Sequence, residues 1–158
     1  MNTPLAVTLQ LPAEEDTLAL GSALSRGIEP GALLFLQGDL GYGKTTLVRG
    51  LLRSLGFEGR VKSPTFTLVE AYELSRLSLY HFDLYRFEDA QELRDSGLLE
   101  IFETDAVCIV EWPEKASGSL PVADLTVQLS LADSGGRTAT LEARTPRGAR
   151  WLKAARLY

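Results

Sequence analysis

Residues 32–46 read ALLFLQGDLGYGKTT, and this stretch decides the fold. The apolar run ALLFLQ is typical of a strand that is buried on both faces. Three glycines and a lysine follow within nine residues, and leucines at helical spacing come next, with Gly56 predicted as the C-cap of their helix. The glycine segment fits the pattern G-x-x-x-x-G-K-[ST]. Its four fixed positions are Gly38, Gly43, Lys44 and Thr45.

This pattern is the P-loop, and its residue types suit the binding of phosphate groups. Glycine lets the backbone enter positive φ and point N–H groups inward at phosphate oxygens. The start of the following helix adds unpaired N–H donors and a partial positive charge. Lys44 would carry a full charge to the outer phosphates, and the Thr45 hydroxyl would bind Mg²⁺. A flexible turn without a ligand is the alternative, but it leaves the strand before the loop and the helix after it unexplained.

The remaining sequence predicts strands and helices in alternation, with two hairpins. We expect an α/β fold, a single P-loop NTPase domain over residues 1–158 with a mixed sheet flanked by helices and a short basic C-terminal helix. The predicted strands are VTLQL, ALLFLQ, TFTLVEAYEL, LSLYHFDLYRF, AVCIVEW and the two arms of DLTVQLSLADSGGRTATLEAR, with DSGG as the turn. The predicted helices are EEDTLALGSALSRGI, KTTLVRGLLRSLG, one or two within EDAQELRDSGLLEIF broken at Gly97, and TPRGARWLKAARLY.

Composition narrows the classes of function. The 158 residues carry a net charge of −5, but six of the 16 basic residues lie in 137–158 against one acid, Glu142. The acidic body is therefore a poor candidate for nucleic-acid binding, whereas the basic segment either contacts an anionic partner or pairs with the body. One cysteine and one histidine exclude an internal disulfide and a zinc site built from those two residue types. We also expect a cytoplasmic protein that does not enter a membrane.

A P-loop needs a carboxylate opposite it, to hold the magnesium shell. Glu111 ends the apolar strand AVCIVE and is the candidate; a solvated strand end is the alternative. Trp112 follows and either stacks beside the nucleotide or caps the core. In YHFDLYR, strand alternation places His81 and Asp83 on one face. Asp83 then lies near the magnesium, orients the attacking water, or forms a structural pair with His81 or Arg86.

The loop VKSPTFT offers three hydroxyl groups beside a proline, at 63, 65 and 67. At this place in a P-loop protein, such a loop can sense the γ-phosphate. The alternative is a turn that only connects to the next strand, since such a turn could have the same residues.

The blocks GDLGYGKTT, SPTFTLVEAY, YHFDLYR and EWPE, in this order, resemble the bacterial TsaE (YjeE) family of P-loop ATPases. The resemblance covers about two thirds of the chain, and Tyr42 stands where the family commonly has alanine. It implies ATP and Mg²⁺ as ligands, with Thr45 and Glu111 at the metal and Lys44, Asp83 and Glu111 acting in hydrolysis. It also implies nucleotide contacts at Gly38, Leu40, Gly41, Tyr42, Gly43, Lys44, Thr45, Thr46, Trp112, Glu14 and Thr17.

The resemblance implies a role within a larger assembly. Proteins of this family hydrolyse ATP together with TsaB and TsaD, and TsaD transfers the threonylcarbamoyl group to tRNA. The tRNA would then be met indirectly, through the complex, with the basic C-terminal segment as a candidate contact. Two other functions stay open from the residues: a small-molecule kinase, although no lid-like arginine cluster occurs, and a nucleotide-dependent switch. The guanine signature N/T-K-x-D is absent from the sequence, and ATP is favoured by the resemblance.

Overall fold

The computed structural model describes residues 5–39, 41 and 43–157, and these residues form one mixed seven-stranded sheet. The strands are β1 (Ala6–Leu11), β2 (Leu33–Gln37), β3 (Val69–Glu73), β4 (Ser78–Asp83), β5 (Val107–Glu111), β6 (Leu125–Leu131) and β7 (Arg137–Ala143). Their order across the sheet is β1-β7-β6-β2-β5-β4-β3. The central strands β6, β2, β5 and β4 are parallel, and β1, β7 and β3 add antiparallel edges. The predicted mixed α/β fold is confirmed.

Helices cover both faces of this sheet. The helices are α1 (Glu14–Leu24), α2 (Lys44–Ser54), α3 (Ala90–Ser96) and α4 (Pro146–Ala155), with 3₁₀ turns at Leu98–Glu103 and Pro113–Ala116. Alternate residues of β5 show the two layers: Val107 and Ile109 pack with α1, α2 and α4, whereas Cys108 and Val110 pack with α3 and the turns. Burial on both faces explains why this strand reads as a continuous apolar run.

Several predicted elements are shorter in the structure, among them the strand predicted over residues 77–87, which ends at Asp83. The strand predicted from Thr65 begins only at Val69, because the preceding residues form a turn that Leu68 N–H closes on the Pro64 carbonyl at 2.8 Å. The first helix ends at Leu24 instead of extending toward residue 28. The predicted break at Gly97 is confirmed, since this glycine takes φ 78° between α3 and the 3₁₀ turn.

The basic C-terminal segment pairs with acidic side chains of the body. Arg147 pairs with Asp124 and Arg150 pairs with Glu29 of the body, whereas Arg144 pairs with Glu142 inside the segment itself. The hydrogen bond that Arg150 donates lowers the pKa of Glu29 below its ordinary value. Trp151 anchors α4 from the opposite side, because its buried indole N–H donates to the Leu24 carbonyl at 2.7 Å. Of the two interpretations of this segment, the structure favours pairing with the body.

Candidate functional site at the carboxyl edge of the parallel strands

The glycine loop leaves β2 at the edge where the parallel strands end. Its described glycines all have positive φ: 142° at Gly38, 82° at Gly41 and 94° at Gly43. A Cβ on Gly38 would also lie 2.6 Å from the Leu129 carbonyl oxygen, so this turn requires glycine for space as well as for conformation. Leu40 and Tyr42, two of the predicted nucleotide contacts, lie outside the described residues.

Helix α2 begins directly after the loop and has no side-chain cap. Its N-cap is Gly43, whereas Asp89 caps α3 and Thr145 caps α4 through side-chain oxygens. Among the described residues, the first N–H groups of α2, which begin at Lys44, therefore receive no hydrogen bond from a capping side chain. Unpaired helix N–H donors next to a glycine loop suit an anionic ligand.

Lys44 is buried, and three described residues lie close to its ammonium group. Nζ donates to the Gly38 carbonyl at 2.6 Å and lies 3.4 Å from Glu111 Oε1. It also lies 4.5 Å from the centroid of the Trp112 ring. Since a buried charge is costly unless it is paired, these contacts explain how the lysine is held at the loop.

The two predicted carboxylates lie side by side because the strands that carry them are in register. Asp83 ends β4, Glu111 ends β5, and the two residues are directly paired in the parallel ladder. Asp83 accepts hydrogen bonds from the Thr65 hydroxyl at 3.0 Å and from the Tyr85 backbone N–H at 2.9 Å. The hydroxyl loop and the acid are thus in direct contact.

The structural pairs considered for Asp83 do not form among the described side chains. His81 binds Glu111 instead, with 2.5 Å between Nε2 and Oε2. Arg86 donates to the Phe66 carbonyl at 3.3 Å. Asp83 therefore keeps its carboxylate directed to the loop and the site.

One cavity of about 660 Å³ collects most of the predicted residues. Those that line it are Glu14, Thr17, Gly41, Gly43, Lys44, Thr45, Thr46, Asp83 and Glu111. Gly38 and Trp112 instead line a separate cavity of about 410 Å³ with Asp39 and Glu114. Trp112 packs there against Tyr85, with 4.9 Å between ring centroids. The tryptophan is thus placed beside the loop lysine and apart from the larger cavity.

Two arginines in the larger cavity were not among the predicted site residues. Arg49 lies one turn beyond Thr45 on α2, and this spacing was a usable signal. Arg137 comes from the start of β7 and donates to the Gly41 carbonyl at 3.1 Å. Its pairing with Leu11 across the sheet brings it there, and no local pattern in the sequence reveals that pairing.

The residues present fit a magnesium–phosphate ligand. Mg²⁺ prefers oxygen ligands and is usually held by one or two protein groups together with substrate phosphates. Thr45 and Glu111 offer such oxygens beside the uncapped start of α2. No cluster of three or more His, Cys, Asp or Glu side chains that could hold a metal by itself occurs in the described part of the chain.

The loop, the strand order and the flanking helices define the P-loop NTPase fold. A solved structure supports this class: Bacillus subtilis YdiB superposes with a TM-score of 0.82 at 30% identity, over 98% of this chain and 97% of that one. In the described residues, no helix combines the length and apolar character that crossing a membrane requires.

The sequence model of the family described as "Threonylcarbamoyl adenosine biosynthesis protein TsaE" matches residues 11–139. Two curated proteins named "tRNA threonylcarbamoyladenosine biosynthesis protein TsaE" are similar over most of their length. The protein from Haemophilus influenzae is 42% identical, over 90% of this chain and 93% of its own. The one from Bacillus subtilis is 40% identical, over 82% of this chain and 80% of its own. The chain belongs to the TsaE family.

Proposed function

We propose that this protein is a Mg²⁺-dependent ATPase that serves the formation of threonylcarbamoyladenosine in tRNA. The observation that carries the proposal is the convergence of Lys44 Nζ and Glu111 Oε1, 3.4 Å apart, at the uncapped start of α2. A buried cation and a buried carboxylate at this edge match the two charges that a nucleotide with its magnesium requires. The names of the related proteins supply the biological process.

Different residues of the chain have different roles in the proposed hydrolysis. The N–H groups at the start of α2 and the ammonium of Lys44 bind the phosphates and stabilise the charge that develops in the transition state. Thr45 and Glu111 would hold Mg²⁺, which would polarise the phosphate oxygens. Asp83, held by the Thr65 hydroxyl, would orient the water that attacks the γ-phosphorus and accept its proton as the bond to the leaving ADP oxygen breaks. Glu14 and Thr17 line the cavity where the base end of the nucleotide would enter.

We assign TsaD and TsaB as the protein partners and the cytoplasm as the location. The chain would act as a single ATPase domain that drives or resets the complex, and the partners would hold the tRNA. Arg86 is directed at the Phe66 carbonyl and is not among the residues that line the larger cavity. We expect slow hydrolysis by the isolated chain and faster turnover in the complex, where a partner can supply an arginine to the charge that develops in the transition state.

Phosphate release and nucleotide binding, measured together, test this proposal. The purified chain should bind ADP in a Mg²⁺-dependent manner and release phosphate from ATP without an added acceptor, faster with TsaB and TsaD. Asp83→Ala should lower the rate by about 100-fold or more, as expected for loss of a group that assists proton transfer, while ADP binding persists.

The result also separates the alternatives. Hydrolysis that requires a small-molecule acceptor would indicate a kinase. Full tRNA modification by the hydrolysis-deficient Asp83→Ala variant would indicate a nucleotide-dependent switch. Absence of any adenine nucleotide binding would refute the proposal altogether.

A further inference from the structure

His81 is fully buried in the middle of the sheet, on the face that leads to the site. It lies opposite Ile109 in the β4–β5 ladder, two residues before Asp83. Its neighbours on this face are core residues such as Leu79 and Ile109. An imidazole in such a place loses its hydration, so a polar contact must compensate for the loss.

The ring makes that contact with Glu111. Nε2 lies 2.5 Å from Glu111 Oε2, whereas Nδ1 is buried with no hydrogen-bond partner among the described residues. Because an ionised carboxylate can only accept a hydrogen bond, the shared proton lies on Nε2 and His81 is the donor. Within the described part of the chain, the polar interaction of this buried side chain is therefore directed at the glutamate.

The two oxygens of Glu111 have different partners. Oε2 accepts from His81, and Oε1 faces Lys44 at 3.4 Å. A carboxylate held at one oxygen cannot rotate freely, so its other oxygen keeps a defined direction. Hydrogen-bond donors behind metal ligands commonly fix ligand orientation in this way.

We propose that His81 is a positioning residue, which holds the Glu111 carboxylate so that Oε1 is presented to Mg²⁺ and to Lys44. This inference rests on the proposed function, since it assumes that Glu111 serves a magnesium–nucleotide ligand. It predicts that the histidine affects metal binding through the glutamate and does not affect nucleotide binding in the absence of metal.

The Mg²⁺ dependence of ADP binding, measured by titration calorimetry, tests the inference. His81→Leu fills the space without a donor, whereas His81→Gln carries an amide N–H about as far out as Nε2. We expect His81→Leu to raise the Mg²⁺ concentration for half-maximal tightening of ADP binding by about 10- to 100-fold. His81→Gln should stay within about threefold, and ADP affinity in excess chelator should be unchanged in both variants.

A double-mutant cycle shows whether the effect passes through the glutamate. In a Glu111→Ala background, His81→Leu should change the Mg²⁺ dependence by less than about twofold, because the group that it positions is gone. An effect of equal size in both backgrounds would overturn the inference. So would a Mg²⁺ dependence that His81→Leu leaves unchanged.

If His81→Leu does not fold, the comparison of His81→Gln with His81→Asn decides, since asparagine reaches only as far as Nδ1. The positioning role is supported if His81→Gln keeps the Mg²⁺ dependence of ADP binding and His81→Asn loses it. Equal Mg²⁺ dependence in the two variants overturns it. Failure of the unsubstituted chain to bind ADP with Mg²⁺ would refute the proposed function itself.

Discussion

At the scale of single residues, the site is built on a buried pair of opposite charges, Lys44 and Glu111. Lys44 and Glu111 are 5% and 3% exposed, and each has the other within 3.4 Å. Removal of one partner leaves the other as a buried charge with fewer contacts, which is strongly unfavourable. Substitutions at this pair therefore affect the folded state as well as the ligand.

Lys44→Ala should weaken binding of Mg²⁺–ADP by about 10- to 100-fold, the value of one lost hydrogen bond to a charged group. It should also lower the free energy of unfolding by about 1–3 kcal/mol, because Glu111 loses its cation. Calorimetry and urea unfolding measure the two effects. Lys62→Ala, at an exposed position, is the control and should change neither. Unchanged ADP affinity in Lys44→Ala would contradict the assignment of the loop.

The Thr65 hydroxyl connects the loop after α2 to Asp83. Thr65→Val keeps the shape of the side chain but removes the hydrogen bond at 3.0 Å, so Asp83 is held only by the Tyr85 backbone N–H among its described contacts. We expect ATP hydrolysis to slow by about 10-fold or more, consistent with a bond to a charged acceptor. ADP affinity should change by less than about twofold.

Thr67→Val is the matched control for this loop. The Thr67 hydroxyl donates to Glu70 at 3.1 Å and does not contact Asp83. Its loss should leave the hydrolysis rate close to that of the unsubstituted chain. Equal slowing by both valine variants would mean that the loop acts through its general conformation.

At the scale of elements, α1 packs closely against α2, the helix that begins directly after the glycine loop. Gly21 of α1 and Gly50 of α2 are the contact points. A Cβ on Gly21 would lie 2.0 Å from the Leu47 carbonyl oxygen, and one on Gly50 would lie 2.2 Å from the Leu18 carbonyl oxygen. These helices can approach so closely only because neither glycine carries a side chain.

Gly21→Ala should destabilise the fold although alanine is the better helix former. The clash with backbone atoms costs about 1–3 kcal/mol net, as overpacking commonly does. For a chain of this size we expect the melting temperature to fall by about 3–10 °C. Thermal unfolding followed by circular dichroism measures the shift.

Ala19→Ser adds one atom on the exposed side of the same helix and should shift the melting temperature by less than about 2 °C. A Gly21→Ala variant as stable as the unsubstituted chain would show that α1 and α2 can move apart without cost.

At the scale of the whole molecule, the sheet is covered by two apolar layers. The reactivity of Cys108 measures how often these layers open. The thiol lies on the central strand β5 and is 2% exposed. Burial raises its pKa to about 12. The reactive thiolate is therefore scarce in the folded protein at neutral pH.

A thiol reagent should modify Cys108 only when the sheet opens. If opening requires global unfolding, Mg²⁺–ADP at about 100 times its dissociation constant should slow modification by about 100-fold. Modification kinetics at pH 8 with and without nucleotide measure this effect. Equal rates would indicate local opening around β5, and Cys108→Ala should show no modification at all.

Because its thiol is buried, Cys108 should also make the free energy of unfolding fall at alkaline pH. The unfolded thiol ionises near its usual pKa of about 8.5, whereas the folded thiol stays protonated until its pKa of about 12. The buried, protonated thiol therefore contributes its full share to the free energy of unfolding below pH 8.5. This contribution decreases as the pH rises between the two pKa values. The free energy of unfolding, measured with urea, should therefore fall more steeply from pH 8.5 to 10 for the unsubstituted chain than for Cys108→Ala. Parallel curves would contradict a buried, protonated thiol.

Local signals in the sequence predicted much of the fold and several site residues. The glycine loop, the strand before it and the helix after it follow from residues within one short stretch. Glu111 and Asp83 were recognisable because each follows apolar or alternating residues at the end of a strand. The extent of β3 was wrong, since a turn closed by Leu68 and Pro64 competes with strand propensity there.

The sequence by itself determined the chemistry of this protein: a loop whose glycines, lysine and threonine suit phosphate, and acids at the ends of apolar strands. Only the tertiary structure decided which of these groups meet. Strand register places Asp83 beside Glu111 and directs His81 to the glutamate, and the β1–β7 pairing brings Arg137 to Gly41. The physical reason is that backbone conformation depends on near neighbours along the chain, whereas these contacts depend on how distant strands pair.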